Sequence, residues 1–414
     1  MIHNNPFLQK TYTKIWVKHF SYGQDEFMFS FIPFLKFIKH PFFNIFTNIG
    51  HKNTKGITYS ITSSEKLPLK NKLLLIYDIH TFFQSQQNSN SNSLRLKKII
   101  QYPGFLCELE NYPSASAYMK SVLSKKSNYR FHLYQKKLEH SFEIEYKMYF
   151  GSISKETYAF LFKCFHQLLV KRFHAKEETN NNLHPKEWNF FSEVTYLMLI
   201  EKKASLFVIY TNKVPIAITL LHFSDNIAFD TIRVFDIAYS SFRLGTISTM
   251  KQIEWCYEQQ IKYLDFSKGD YEYKERWATQ KYNFEYHVLY DSKSFQATSL
   301  AFLITGYYNL KQVFRKYKLH TLFHQFTFFL GNKKKKMNIA KKIEIYNSPS
   351  QDNLNDYAQI AIPEVKNQQL IKVIFDFLFT KSEKFRDIHL FKSIHQPDLF
   401  YIKGKYNSGT FKIG

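Results

Sequence analysis

The sequence predicts an α/β protein built on a mixed sheet, and three observations carry that expectation. Residues 204–211, 215–223 and 227–239 are three strand-like runs joined by the short turns NKV and SDN, which read as an antiparallel meander. A helical stretch at 243–260 then leads to another strand at 261–266, and a helix crossover to a further strand makes such a sheet mixed. Finally, 44% of the 414 residues are hydrophobic and 18% aromatic, enough for two or three domains at usual sizes.

The elements follow in chain order. The stretch 31–46 (FIPFLKFIKHPFFNIF) is very apolar, but Lys36, Lys39 and His40 interrupt it and Pro33 and Pro41 break it. It falls short of the roughly 18 apolar residues of a membrane span and reads as core or as a surface-docking segment. Residues 72–79 form a buried strand, and SQQNSNSNS at 85–93 is a polar loop. The segment 117–151 begins as a helix bearing Lys125, Lys126, Arg130, Lys136 and Lys137. It ends as a strand with Phe142, Ile144, Tyr146, Met148 and Phe150 on one face. Helices follow at 156–176 and 184–202, with Pro185 at the start of the second. After the meander, Ile247, Met250, Ile253 and Tyr257 stripe one face of the 243–260 helix. DYEYKERWAT (270–279) supplies one or two helical turns, 283–291 a closing strand, and 294–318 a helix. The run NKKKK at 332–336 is a charged linker. Beyond it the pattern weakens to a small appended α/β unit or a tail. Three units result: 1–150, 151–330 and 331–414.

Net charge is +23, from 57 Lys and Arg against 34 Asp and Glu. Such an excess favours anionic partners without choosing among nucleic acid, phosphorylated cofactors, glycans and membrane faces. Cys107, Cys164 and Cys256 are far apart and form neither a CxxC pair nor a metal-ligand spacing, so they read as small buried hydrophobes. No basic, then apolar, leader opens the sequence. A cytoplasmic protein with no metal site is expected, with peripheral membrane contact left open.

Two places could carry chemistry. The first is YSSFRLGTIS, where Gly245 opens a helix after a strand. A glycine there permits a positive φ and close backbone approach, and the first N–H groups of the helix face any docked anion. Arg243 adds a charge-assisted bond, and Thr246 and Ile247 continue the turn. The second is DFSKGDYEYKERWAT (265–279). Asp265 lies near the carboxyl end of its strand, where ligands collect in open α/β sheets. Gly269 turns the chain and Asp270 caps the next turn. Tyr273 is placed to act as acid or positioner and Lys274 to contact an anion. The plain alternative is a surface lysine–aspartate pair with Tyr273 and Trp277 as a lid. The sequence shows no HExxH, P-loop, GxGxxG or Ser-His-Asp order.

The block LGTISTMKQIEWCYEQQIKYLDFSKGDYEYKERWA resembles the signature of the CelD-like GNAT acyltransferase family through Gly245, Ile253, Glu254, Trp255, Asp265, Phe266, Gly269, Tyr273, Lys274 and Trp277. The related Fem-type aminoacyltransferases show a comparable glycine turn followed by F/Y-K. The segment YMKSVLSKKSNYRFHLYQKKLEHSFEIEY is similar to the family's S-K-K-x-R…R-x-x-R-x-L stretch, with Lys137 where a second Arg is frequent. The resemblance spans roughly 5–295. It implies tandem GNAT-like lobes with the donor site in the second. Acyl-CoA, acetyl-CoA above all, would be gripped at Arg243, Gly245, Thr246, Ile247 and Gly269. Asp265, Tyr273 and Lys274 would be the catalytic set, and the acceptor an amine or hydroxyl of a sugar, glycan or polysaccharide precursor. Ile247 stands where the GNAT turn R/Q-x-x-G-x-G/A has a second small residue. That departure keeps two other readings in play: a Fem-type transferase using aminoacyl-tRNA, and a non-catalytic binding protein.

Overall fold

The computed structural model describes residues 1–62, 69–87, 93–316, 343–346, 356–362 and 367–413. Part of the polar loop and the NKKKK run lie outside the described residues. The expected mixed α/β architecture is present. The chain forms strands β1 (Glu26–Phe29), β2 (Ile32–Lys39), β3 (Ile45–Asn48), β4 (Ser60–Ile61), β5 (Leu73–His80), β6 (Gln86–Gln87) and β7 (Leu94–Glu108). These are followed by β8 (Ile144–Tyr149), β9 (Ala204–Thr211), β10 (Val214–Phe223), β11 (Ile227–Phe235), β12 (Tyr263–Lys268) and β13 (Gln280–Asp291). Eleven of them make one sheet in the order β1-β2-β3-β5-β13-β7-β12-β11-β10-β9-β8.

Two parallel steps punctuate this sheet, β3 to β5 and β11 to β12. The inner strand of each half is lent by the other end of the chain. β13 pairs with β5, and β7 with β12. β8 pairs antiparallel with β9, so a lobe boundary drawn at 150 separates β8 from its partner; one drawn before β8 keeps the pair whole.

The helices are α1 (Lys10–Phe20), α2 (Ala115–Val122), α3 (Lys125–Ser141), α4 (Lys155–Lys176), α5 (Pro185–Ile200), α6 (Leu244–Glu258), α7 (Glu272–Trp277) and α8 (Phe295–Lys316). The single helix expected after 117 is two, because Leu123 turns extended and the Ser124 side chain caps α3 by accepting from Ser127 N–H. Ser154 caps α4 likewise.

All eight residues of β9 are buried, since both faces of the sheet are covered. Leu206 and Val208 enter one core with Phe165 and Leu169 of α4 and Val194 and Met198 of α5. Phe207 and Ile209 enter another with Leu244 and Ile247 of α6.

The appended unit is folded. It contains β14 (Ile343–Tyr346), β15 (Tyr357–Ile360), α9 (Gln368–Lys381), β16 (His389–Ser393), β17 (Leu399–Lys403) and β18 (Ser408–Ile413), in the sheet order β14-β18-β17-β16-β15. α9 packs on the 3-10 turn at Ile237–Phe242, which immediately precedes α6. Among the described residues, no helix is long and apolar enough to cross a membrane.

Candidate functional site

β11 and β12 run parallel but pair only at Ile227–Tyr263, Ala228–Leu264 and Phe229–Asp265. Beyond that point both strands bend. The β10–β11 register shifts between Leu220 and Leu221, leaving Thr231 unmatched. On β12 the register against β7 shifts between Asp265 and Lys268, and Ser267 takes a left-handed φ of 57°. A bulge re-aims a strand and ends its pairing. The sheet therefore opens at the carboxyl ends of two parallel strands, with α6 as the crossover between them.

Arg233 of β11 ties the strand to the first turns of α6. It pairs with Asp230 at 2.5 Å and donates to Gln252 Oε1 (2.9 Å), Thr249 Oγ1 and the Gly245 carbonyl. Its Nε, and Nη1 of Arg172 on α4, are buried without a hydrogen-bond partner. The Arg172 guanidinium lies 4.0 Å over the Phe235 ring. That ring also meets Gly245, where a Cβ would sit 2.6 Å from it. Gly245 is thus required for close packing. The left-handed residue of the turn is Arg243, exposed with φ 55° and ψ 44°. α6 has no side-chain cap, and Thr246 N–H turns back to the Arg243 carbonyl at 2.8 Å, which leaves the N–H groups of Leu244 and Gly245 for solvent or a ligand. The Ile247 side chain is fully buried in the core and its N–H goes to the Arg243 carbonyl at 3.2 Å. It neither lines the turn nor narrows it. Thr246 is half-buried beside it.

On the β12 side the aspartate differs from its expected exposure. Asp265 is fully buried. It accepts from Ser267 N–H (2.6 Å), from the Tyr282 hydroxyl at both oxygens (2.8 Å each) and from His80 Nε2 (3.2 Å). His80 Nδ1 accepts the Phe83 N–H, which leaves its proton on Nε2 for the aspartate. Burial lowers the His80 pKa from its ordinary value, with Asp265 opposing. A carboxylate this committed orients; it fixes the left-handed Ser267 kink. The kink presents the Ser267 and Lys268 carbonyls, which accept from Lys274 Nζ at 3.2 and 2.6 Å. Two of the three ammonium N–H groups are thereby placed and one is left.

Lys274 is only 5% exposed. Burial draws its pKa down to about 8 against the pull of Asp230 and Asp265, while Lys55 and Arg233 push the same way as burial. Gly269 has φ 116°, and a Cβ there would stand 2.9 Å from the Tyr271 ring. Its N–H donates to the Pro103 carbonyl. Tyr273, 40% exposed, stands edge-on to Phe266 at 6.2 Å. Desolvation, then Asp230, raises its phenol to about 12, so it is a proton donor at neutral pH.

Sequence reasoning missed the first half's share. Lys55 lies on the loop before Gly56, and its carbonyl accepts from Ser267 Oγ at 3.3 Å. Burial and Lys268 bring its pKa down to about 8. Lys268 pairs at 2.7 Å with Asp78, which is fully buried and also bound by Thr54 and Gln101. No motif marks these residues; they meet only because β5 and β12 are brought close. Elsewhere, a cavity of about 500 Å³ opens beside α2 and α3, lined by Lys120, Leu123, Lys125, Asn128, Tyr129 and His132. Among the described residues no His, Cys, Asp and Glu cluster could hold a metal ion.

Residues 133–275 match the family model described as Acetyltransferase (GNAT) domain. No match was found among curated proteins. Similar solved structures include a conserved protein of unknown function from Bacteroides thetaiotaomicron (7% identity, 70% of this chain and 92% of that one, TM-score 0.45). Another is the C-terminal domain of a putative lysylphosphatidylglycerol synthetase from Agrobacterium fabrum (10%, 70% and 90%, 0.40). A third is FemX (9%, 61% and 83%, 0.41). The stretch that builds β11, α6 and β12, and with them the opening in the sheet, thus lies within the stretch that matches a GNAT acetyltransferase domain.

Proposed function

We propose that the chain is an acyltransferase that moves an acyl group from acyl-CoA, acetyl-CoA first among candidates, to an amine or hydroxyl of a sugar or cell-envelope polysaccharide precursor. The carrying observation is the opening between β11 and β12 with an uncapped α6 at its edge. The residues there fit a phosphorylated donor: the N–H groups of Leu244 and Gly245 that open α6, the exposed Arg243, and unpartnered guanidinium nitrogens on Arg172 and Arg233. A bound acyl-CoA would supply an activated thioester. Arg243 and the α6 amides would hold its phosphates.

The chain's own residues then have distinct tasks. An attacking amine or hydroxyl must lose a proton while negative charge grows on the carbonyl oxygen. In this reading the remaining N–H of Lys274 meets that oxygen. Tyr273, protonated at neutral pH, positions the acceptor or donates to the departing sulfur. Asp265 works through the Ser267 kink, and Lys55 brings a second cation from the first half. Holding both partners in the opening contributes through proximity.

Isothermal titration with acetyl-CoA tests the donor. Heat should be released with the wild type and lost with Gly245→Trp, whose indole would need the space of the Phe235 ring. Absence of heat with any acyl-CoA overturns the proposal. A second reading rests on the exposed Lys125, Lys126, Arg130 and Lys136 of α3, which suit a polyanionic donor such as aminoacyl-tRNA. RNA that copurifies at low salt and leaves with rising salt would favour it.

A further inference from the structure

The sheet-facing side of α8 is conventional: Ala297, Ala301 and Tyr308 are buried against Leu75, Ile99, Tyr286 and Val288. Its other side is not. Phe295 is 86% exposed, Phe302 72%, Leu303 70% and Tyr307 60%, and Leu310, Val313 and Phe314 are each about half exposed. At 100° per residue these seven side chains fall within an arc of about 140° on the side of the helix away from the sheet. Apolar faces of this extent mark interaction surfaces.

The charges on the helix have one sign. Residues 292–316 contain four Lys and Arg and no Asp or Glu, and Lys293 and Lys311 among them are exposed. Lys97 of β7 sits 4.4 Å over the Phe302 ring at the edge of the face, and Arg95, two residues earlier on the same side of the strand, is exposed. A water-filled partner surface gains nothing from seven apolar side chains, and a polyanion such as nucleic acid uses only the lysines. A surface that is anionic at the headgroups and apolar beneath uses both.

We infer that the outward face of α8 is a membrane-surface docking site that lies on an anionic phospholipid bilayer, with its aromatic and aliphatic side chains entering the headgroup boundary. The helix does not cross the membrane; its inner side stays packed on the sheet. The inference is independent of the acyl-transfer reading.

Cosedimentation of the full chain with vesicles tests it. Partition onto phosphatidylcholine vesicles containing phosphatidylglycerol should exceed that onto phosphatidylcholine alone by about tenfold or more, and should weaken with salt. The combined variant Phe302→Ser, Leu303→Ser and Phe314→Ser should lose about tenfold of that partition with an unchanged melting temperature and oligomeric state. A second variant, Arg95→Glu with Lys97→Glu, should weaken partition without changing the helix's own sequence. Failure of the wild type to bind the anionic vesicles overturns the inference, and so does full partition by either variant. If the serine variant instead melts early, the face is covered by the chain's own 317–342 segment; if it becomes monomeric from a dimer, by a second copy. Either result overturns the lipid assignment.

Discussion

Lys274 carries its charge under tension. An ammonium with a pKa of about 8 is mostly protonated at neutral pH and loses its proton well before a free lysine would. If the cation stabilises developing negative charge, turnover should fall as pH rises through about 8, and Lys274→Met should abolish it while leaving acetyl-CoA binding measurable. A rate that rises through the same range would instead make the neutral amine the active form. A second residue-scale expectation concerns stability. His222 is fully buried with Nδ1 on Thr231 and Nε2 unpaired, and burial, then Lys55, lowers its pKa from 6.5 to about 3. Below 6.5 the unfolded chain takes up a proton that the folded chain refuses, so folded stability falls as pH falls from 6.5 toward 3. The loss is ~2 kcal/mol by about pH 5 from this residue. His51, lowered mainly by burial to about 4, adds in the same direction. Urea titrations at the two pH values should show the drop, and His222→Gln should reduce it.

At the scale of elements, the short link from β12 to α7 is where conformation and chemistry meet. Gly269 holds a φ of 116° that only glycine adopts readily, and a Cβ would strike the Tyr271 ring. Gly269→Ala should therefore cost ~1–3 kcal/mol. It should also lower turnover, because Lys274 hangs from the same kink through the Ser267 and Lys268 carbonyls. Thermal melts and steady-state rates check the two parts separately. These elements were legible in sequence: the β9–β11 meander, α6 with its Ile247–Met250–Ile253 stripe, and β12 all stand close to where apolar period and turn residues put them. Side-chain direction was less legible. Asp265 looked like a cleft residue because strand ends usually face ligands, yet Tyr282 and His80, distant in sequence, enclose it. Ile247 looked like an obstruction, and its place on the helix's apolar stripe was the signal that it faces the core. Lys55 had no local signature, since its setting is made by a strand some two hundred residues away.

At the scale of the whole molecule, the appended unit is joined to the candidate donor site through one aromatic seam. Phe375 of α9 lies 4.6 Å from Tyr239 and 5.1 Å from Phe142 by ring centroid. Phe379 lies 5.3 Å from Phe242, while its carbonyl takes the Lys137 ammonium at 2.7 Å. Asp376 accepts from Ser241 Oγ. Tyr239, Ser241 and Phe242 belong to the 3-10 turn that runs directly into Arg243 and Gly245, so the packing of α9 bears on the geometry of the turn that would hold the donor's phosphates. Phe375→Ala removes a buried ring at that seam and should cost ~3–5 kcal/mol. Phe400 is a fair control. It is comparably buried but stacks on Phe411 within the unit's own sheet, at 5.8 Å and 14°. Phe400→Ala should destabilise to a similar degree through the interior of the unit. If α9 steadies the donor turn, Phe375→Ala will weaken acetyl-CoA binding more than Phe400→Ala at temperatures where both remain folded. Equal affinities for the two variants would mean that the appended unit adds stability alone and leaves the donor turn to the main sheet.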